Sequence, residues 1–256
     1  MQRGYVQVDR GRIYYQVAGS GRPVVLVHGL SGSTRWWSRN IAAFAERFRV
    51  YVLDLIGFGA SRDGLEFVLS EAAYYLTKWM DALGIDGGSL VGHSMGGFIA
   101  ADLAARFPER VERLVLVDAA VLPFERRYWQ QALGLIEGLW RMPLGFLPVL
   151  LTDAYRSGPR TLLKAAHQLL TTDARPQLAR IQAPTLVVWG EHDAILPLEL
   201  GERVTACVPE AELVVIAGAG HNPMWDRPEE FNRVVVQFLA AEREAPRRTA
   251  TASTAA

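Results

Sequence analysis

Short apolar runs that alternate with helical patterns constrain the fold of this chain more than any other feature. The runs cover residues 24–27, 50–53, 89–91, 114–117, 185–189 and 213–216. Continuous apolar runs of this length are typical of strands buried on both faces of a sheet. The helical patterns cover residues 37–47, 66–83, 95–106, 198–207 and 228–242. This alternation predicts an α/β fold, a doubly wound and mostly parallel sheet with helices on both sides.

The two ends of the chain and one long stretch depart from this alternation. Residues 6–8 and 13–17 alternate across 9–11 and predict an antiparallel N-terminal hairpin, which gives a sheet of about eight strands. The helical stretch 122–176 predicts a cap inserted into a core formed by 1–121 and 177–242. The tail 243–256 is rich in small polar residues and alanine, which predicts disorder.

The charge balance of the chain argues against several classes of partner. Lysine plus arginine equals aspartate plus glutamate, 27 of each, and the basic residues form no long block. We therefore expect no nucleic-acid partner. No apolar run reaches the length of a signal peptide or a membrane span, which predicts a cytoplasmic protein without a membrane partner. The oligomeric state stays open.

The segment Gly92-His93-Ser94-Met95-Gly96 lies where a predicted strand turns into a predicted helix. A serine in such a turn is held in a strained conformation with its hydroxyl exposed, and flanking glycines remove side chains that would collide with the neighbouring elements. The pattern predicts a nucleophile at Ser94. The alternative is a helix cap without chemistry.

A serine nucleophile needs a base and an acid that orients the base. His221 follows the apolar run 213–216 in a glycine-rich turn, and Asp193 follows the run 185–189. Neighbouring parallel strands lie about 4.8 Å apart, so their ends can bring these side chains together. The other acids considered are Asp54, Asp118 and Asp226, of which Asp118 is the best alternative.

The remaining histidines and two backbone amides complete the predicted site. We expect structural roles for His28, His93, His167 and His192. An acyl-transfer site also needs donors for an oxyanion. The backbone N–H groups of Met95, at the helix start, and Leu30, in the loop after 24–27, are the candidates.

Taken together, these motifs make the chain resemble the α/β-hydrolase superfamily, in its branch of small bacterial serine esterases with a helical cap. The resemblance spans nearly the whole chain and rests on 28–29, 54–61, 92–97, 190–193 with Pro197, and 220–223. It implies cleavage of esters, lactones, thioesters, carbon–carbon bonds, epoxides or carbon–halogen bonds. Epoxide hydrolases and haloalkane dehalogenases have aspartate where this chain has Ser94. Carbon–carbon bond hydrolases usually have asparagine where it has His93, which makes that activity less favoured.

The function expected from the sequence is hydrolysis of carboxylic esters through an acyl-enzyme formed on Ser94, with His221 as base and Asp193 orienting it. Activity should fall as His221 becomes protonated, below about pH 6–7. No cofactor or metal is expected, because no residues show the spacing of metal ligands.

The expected substrate is an uncharged small-molecule ester with an apolar acyl or aryl group, because the predicted pocket is apolar. Its tentative wall consists of Trp36, Trp129, Trp140, Met142, Phe146, Leu147 and Met224. The alternatives are a ligand-binding or signalling protein with slow turnover, a hydrolase of lactones, thioesters or carbon–carbon bonds, and an acyltransferase or perhydrolase.

Overall fold

A computed structural model describes residues 1–9, 11–62, 66–123, 134, 136–138 and 140–241. It contains an eight-stranded sheet with the order β1-β2-β4-β3-β5-β6-β7-β8. The strands are β1 (Gln2–Val8), β2 (Gly11–Ala18), β3 (Pro23–Val27), β4 (Arg49–Leu53), β5 (Gly88–His93), β6 (Val111–Val117), β7 (Thr185–Gly190) and β8 (Ala211–Ile216). The predicted tail 243–256 lies outside the described residues.

The pairing directions confirm the predicted fold class. β1 and β2 form an antiparallel hairpin, and β2 also pairs antiparallel with β4. Every other pair, from β4–β3 to β7–β8, is parallel. The carboxyl ends of six strands therefore meet at one edge of the sheet. Loops after those ends are where ligands bind in such sheets.

Helices cover both faces of this sheet. They are α1 (Ile41–Ala45), α2 (Leu69–Ala82), α3 (Met95–Arg106), α4 (Leu147–Thr171), α5 (Arg175–Leu178), α6 (Leu198–Cys207), α7 (Pro223–Asp226) and α8 (Pro228–Ala240). Side chains of β3 show the two layers. Val25 and Val27 join the core that contains α2 and α3, whereas Val24 and Leu26 join the core that contains α1 and α8. Apolar residues at consecutive positions are thus buried on opposite faces.

The helix predicted over residues 37–47 is the main local difference. The chain instead forms a 3₁₀ turn at Thr34–Trp37 and the short helix α1. The side chain of Asn40, between them, donates hydrogen bonds to the carbonyl of Met224 at 2.9 Å and to Oδ1 of Asn232 at 2.8 Å. These tertiary bonds to α7 and α8 favour a break that local periodicity does not reveal.

The segment between β6 and β7 holds α4 and α5, and its prolines start helices as well as interrupt them. Pro148 and Pro176 lie in the first turns of α4 and α5, where a missing N–H costs nothing. Gly158, with φ of 74°, and Pro159 mark a kink inside α4. None of the helices in the described ranges combines the length and the apolar character that crossing a bilayer requires.

Two glycines set how closely α3 approaches the sheet. A Cβ atom at Gly96 would overlap the carbonyl oxygens of Val27 and His28, and one at Gly92 would overlap the carbonyl of Gly96. Because the obstructing atoms are backbone, neither contact can be relieved by rotating a side chain. The helix therefore packs on β3 and β5 at a distance that only glycine permits.

Gly96→Ala should lower the free energy of unfolding by about 1–3 kcal/mol or more, although alanine is the better helix former. The physical reason is the overlap with the Val27 carbonyl. Urea unfolding followed by circular dichroism measures the change. Gly87→Ala is the matched control, because its Cβ would meet no atom closer than 3.5 Å. Equal stability of the two variants would contradict the packing argument.

Candidate active site

Ser94 lies between the end of β5 and the start of α3 in a conformation that is rare for a residue with a side chain. Its φ is 52° and its ψ is −116°. Such a residue costs about 1–3 kcal/mol and persists only where its surroundings enforce it. Here the Ser94 N–H donates to the carbonyl of Val117 at 2.9 Å, and its own carbonyl accepts from the N–H of Ala120 at 3.1 Å. The last residue of β6 and the segment after it thus fix the backbone conformation of Ser94.

His221 and Asp193 reach the same point from the ends of β8 and β7. Nε2 of His221 lies 3.2 Å from Oγ of Ser94. Nδ1 of His221 lies 2.7 Å from Oδ2 of Asp193. A proton on Nδ1, donated to the carboxylate, leaves Nε2 with a free lone pair for the serine hydroxyl. The three side chains therefore form one hydrogen-bonded chain, with the imidazole side chain 12% exposed and the carboxylate fully buried.

Local backbone contacts explain why Asp193 faces the imidazole. Its other oxygen, Oδ1, accepts hydrogen bonds from the N–H groups of Ile195 at 2.8 Å and Leu196 at 2.9 Å. The loop itself is fixed to the histidine loop, because the N–H of His192 donates to the carbonyl of Ala219 at 2.8 Å. The carboxylate is thus oriented by its own turn.

The rival acids are bonded elsewhere. Asp54 accepts from the N–H groups of Thr34 and Ala60, and Asp226 accepts from that of Gly220. Burial raises the pKa of Asp54 and also that of Asp226. Asp118 accepts from the N–H of Gly190 at 2.9 Å and lies behind Asp193. The carboxylate that contacts the His221 ring is that of Asp193.

Two buried histidines support the site without contacting the Ser94 hydroxyl. Nδ1 of His28 donates to the carbonyl of Gly29 at 2.8 Å, and its Nε2 accepts from the N–H of Leu55 at 3.0 Å. Nε2 of His93 donates to the carbonyl of His221 at 2.8 Å. Burial lowers the pKa of His28, and burial together with the nearby His221 lowers that of His93 well below its usual value. Both rings are therefore neutral. His167 and His192 are exposed.

The two predicted oxyanion donors belong to segments next to Ser94. Met95 is the first residue of α3, so its N–H has no acceptor within the helix. Leu30 follows Gly29, where a Cβ would lie 3.0 Å from Cβ of Ser94. Within the described ranges, neither N–H donates to another backbone group. Both remain available to a ligand oxygen.

The residues predicted to form the pocket wall differ widely in burial. Trp36, Phe146 and Met224 are buried, Met142 and Leu147 are half-buried, and Trp129 lies outside the described residues. Trp36 packs on the rings of Phe146 at 5.1 Å and His93 at 5.6 Å, which places it directly behind the nucleophile turn. Trp140 is 86% exposed, so the prediction that it lines the pocket is wrong. An apolar helical pattern does not reveal which side of the helix faces the site.

Sequence reasoning missed the contact that joins α4 to the turn after Leu30. Asp153 is fully buried in α4, where its carboxylate accepts from Oγ of Ser33 at 2.8 Å and from the guanidinium of Arg35 at 2.7 Å. The available signal was a lone carboxylate shortly after the apolar run 146–151, since buried charges are normally paired.

One group of side chains could also hold a metal ion. In the described part of the chain, only Asp118, Asp193 and His221 bring candidate ligand atoms within 4.8 Å of one another. Nδ1 of His221 and Oδ2 of Asp193 already bind each other. A cation there would break the bond that orients the imidazole.

Comparison with known proteins gives consistent matches. Residues 24–234 match the Alpha/beta hydrolase family. The chain is 32% identical to a 2-hydroxy-6-oxononadienedioate/2-hydroxy-6-oxononatrienedioate hydrolase of Burkholderia vietnamiensis, covering 89% of this chain and 91% of the relative. It is also 32% identical to a 2-hydroxy-6-oxo-6-phenylhexa-2,4-dienoate hydrolase of Burkholderia cepacia, covering 90% and 91%. Among solved structures, an N-acyl homoserine lactone degrading enzyme matches with a TM-score of 0.81 and 29% identity, covering 92% and 100%.

Asp153→Ala should lower the free energy of unfolding by about 1–3 kcal/mol, because it leaves the Ser33 hydroxyl and the Arg35 guanidinium without their buried partner. Thermal or urea unfolding measures the loss. Glu137→Ala removes an exposed ion pair with Arg141 from the same segment and serves as control, with an expected change below about 0.5 kcal/mol. A loss no larger than the control's would show that the Asp153 contact does not hold α4.

Proposed function

Since the chain belongs to the Alpha/beta hydrolase family, we propose that it is a serine hydrolase that cleaves carboxylic esters through an acyl-enzyme. The observation that carries the proposal is the continuous hydrogen-bonded chain from Ser94 through His221 to Asp193. A hydroxyl activated in this way attacks carbonyl carbons.

The reaction proceeds in two steps. Oγ of Ser94 attacks the ester carbonyl while Nε2 of His221 takes the hydroxyl proton, and the resulting imidazolium is stabilised by Asp193. His221 then gives this proton to the leaving alcohol, and the acyl group stays on Ser94. Water repeats the sequence and releases the acid.

The backbone N–H groups of Leu30 and Met95 bind the oxyanion in both steps. Each such donor contributes about 3–4 kcal/mol of transition-state stabilisation. Because these donors are main-chain atoms, the side chains at both positions set the shape of the site and not its charge.

The proposed substrates are uncharged esters with an apolar acyl or aryl group. Trp36 and Phe146 supply apolar surface behind the nucleophile turn. Arg35, next to Trp36 in sequence, already pairs with Asp153, and Arg39 stacks on Trp225 at 4.5 Å. In this proposal residues 122–176 form the cap over the site.

Carbon–carbon bond cleavage is the second candidate. It is favoured by the two Burkholderia relatives, whose names describe hydrolases of 2-hydroxy-6-oxo dienoates. His93 next to the nucleophile, where carbon–carbon bond hydrolases usually have asparagine, argues against a dienoate as substrate here, and Arg35 already pairs with Asp153. Lactone cleavage uses the same acyl chemistry as ester cleavage, so it remains within the first proposal.

Ser94→Ala should lower kcat/KM for p-nitrophenyl acetate, butyrate and octanoate by about 10⁴-fold or more, because no other group forms the acyl-enzyme. Stopped assays of p-nitrophenol release measure this. Ser38→Ala, at an exposed serine, is the control and should retain wild-type kcat/KM. Background turnover that is the same in wild type and Ser94→Ala would favour a ligand-binding protein over an enzyme.

The p-nitrophenyl ester of butyrate should exceed the monoester of succinate in kcat/KM by about tenfold or more, because the proposed pocket wall is apolar and Arg35, among the described residues, already pairs with Asp153. Measurement of 2-hydroxy-6-oxo-6-phenylhexa-2,4-dienoate cleavage in the same series separates the two candidates. A higher kcat/KM for the dienoate than for every ester would replace the first proposal by the second.

A further inference from the structure

Asp118 is a buried carboxyl group for which the reaction above assigns no role. It directly follows β6, with φ of 40°, and is fully buried. Its N–H donates to the carbonyl of Val188 at 2.9 Å. Its Oδ1 accepts from the N–H of Gly190, also at 2.9 Å. These bonds join β6 to β7 and fix the carboxyl group at the rim where Asp193 begins its turn.

The second oxygen, Oδ2, has no donor. It is buried, and no N–H or hydroxyl group of the described residues lies within hydrogen-bond distance. One carboxylate oxygen each from Asp118 and Asp193 and a ring nitrogen of His221 all lie within 4.8 Å of one another. A buried acceptor without a donor is costly, whereas a buried hydroxyl beside a carboxylate is not.

The charged groups that face Asp118 also favour a proton on its carboxyl group. They are Asp193 from the loop after β7 and Asp226 from α7, with the imidazole of His221 between them and the serine. Burial raises the pKa of Asp118 well above its usual value, and the negative charge of Asp193 and a hydrogen bond to that carboxylate raise it further. Two adjacent carboxyl groups in a buried site do not both ionise.

We propose that Asp118 is a neutral carboxylic acid whose Oδ2–H donates a hydrogen bond to Asp193, and that it acts as a positioning residue for that carboxylate. Asp193 then has donors for both oxygens: the N–H groups of Ile195 and Leu196 at Oδ1, the imidazole at Oδ2, and the Asp118 hydroxyl. The proton stays on Asp118 throughout the reaction.

Neutral Asp118 leaves Asp193 as the one negative carboxylate in contact with the imidazole. When His221 takes the serine proton, one negative carboxylate faces one positive ring. A second negative charge would hold the proton on the ring more strongly and slow its transfer to the leaving alcohol. This part of the inference rests on the proposed function, whereas the protonation of Asp118 does not.

The variants Asp118→Asn and Asp118→Leu distinguish a neutral, hydrogen-bonding Asp118 from an ionised one. Both variants lack an ionisable side chain, but only asparagine keeps a donor toward Asp193 and an acceptor for the Gly190 N–H. The pKa of His221, followed by NMR of 13C-labelled histidine, requires no substrate. We expect no shift in Asp118→Asn, since an amide replaces a neutral acid, and an upward shift in Asp118→Leu, since Asp193 loses a donor and its charge acts more fully on the ring.

The dependence of kcat/KM on pH is measured for the same two variants. In Asp118→Asn the acid limb of kcat/KM should stay in place and the plateau should lie within about threefold of wild type. In Asp118→Leu the limb should move to higher pH and the plateau should fall about tenfold, the effect of losing one hydrogen bond to a charged group. A downward shift of the His221 pKa in Asp118→Asn would show that Asp118 is ionised and would overturn the proposal. Equal behaviour of both variants would also overturn it.

Unfolding provides a third readout that is independent of catalysis. A carboxyl group whose pKa is raised in the folded state keeps its proton there above the unfolded value of 3.8, so its contribution to stability declines as pH rises from that value through the folded pKa. Wild type should therefore lose stability relative to Asp118→Asn over this range. A constant difference would contradict a neutral Asp118. If no ester is cleaved but the NMR and unfolding results hold, the proposed function fails and the protonation state stands.

Discussion

The approach of α3 to the sheet at backbone distance is the constraint on which the site depends. Glycines at positions 92 and 96 allow it, since a Cβ at either would overlap a main-chain carbonyl. The same approach forces Ser94 into positive φ, because the chain must reverse within one residue between β5 and α3. The strain is balanced by hydrogen bonds to β6. The nucleophile is therefore a property of the packing of the fold and not of a flexible loop.

Neutral, buried histidines surround this turn. His28 and His93 each have a tautomer assigned by their partners, and both lie in surroundings where a charge would be costly. His93 also fixes the backbone of His221 by donating to its carbonyl. In the proposed reaction, the charge next to the Ser94 hydroxyl is thus carried by His221 and the oxyanion, with Asp193 behind the imidazole.

The sequence predicted the sheet and the meeting of Ser94, His221 and Asp193, because both follow from strand ends. A buried strand is a local apolar run, and parallel strands place successive loops at one edge. The helical segment before β7 was much less predictable. Trp140 and Phe146 are both large and apolar, yet one is exposed and the other is packed between Trp36 and Trp225. Only tertiary contacts decide which side of such a helix is covered, and the pairing of Asp153 with Ser33 joins residues far apart in sequence.

The bond between Asp153 and Ser33 also couples the position of α4 to that of the turn after Leu30. Ser33 follows the turn that carries the Leu30 N–H, and Asp153 lies in the helix that precedes the kink at Gly158. Any outward movement of that helix must break this bond and the one to Arg35, and so release the turn. In the proposed cap, the position of α4 and that of the turn carrying the Leu30 N–H therefore cannot vary independently. Displacement of α4 would weaken the proposed hydrolase by loosening its Leu30 donor, even with Ser94, His221 and Asp193 still in contact.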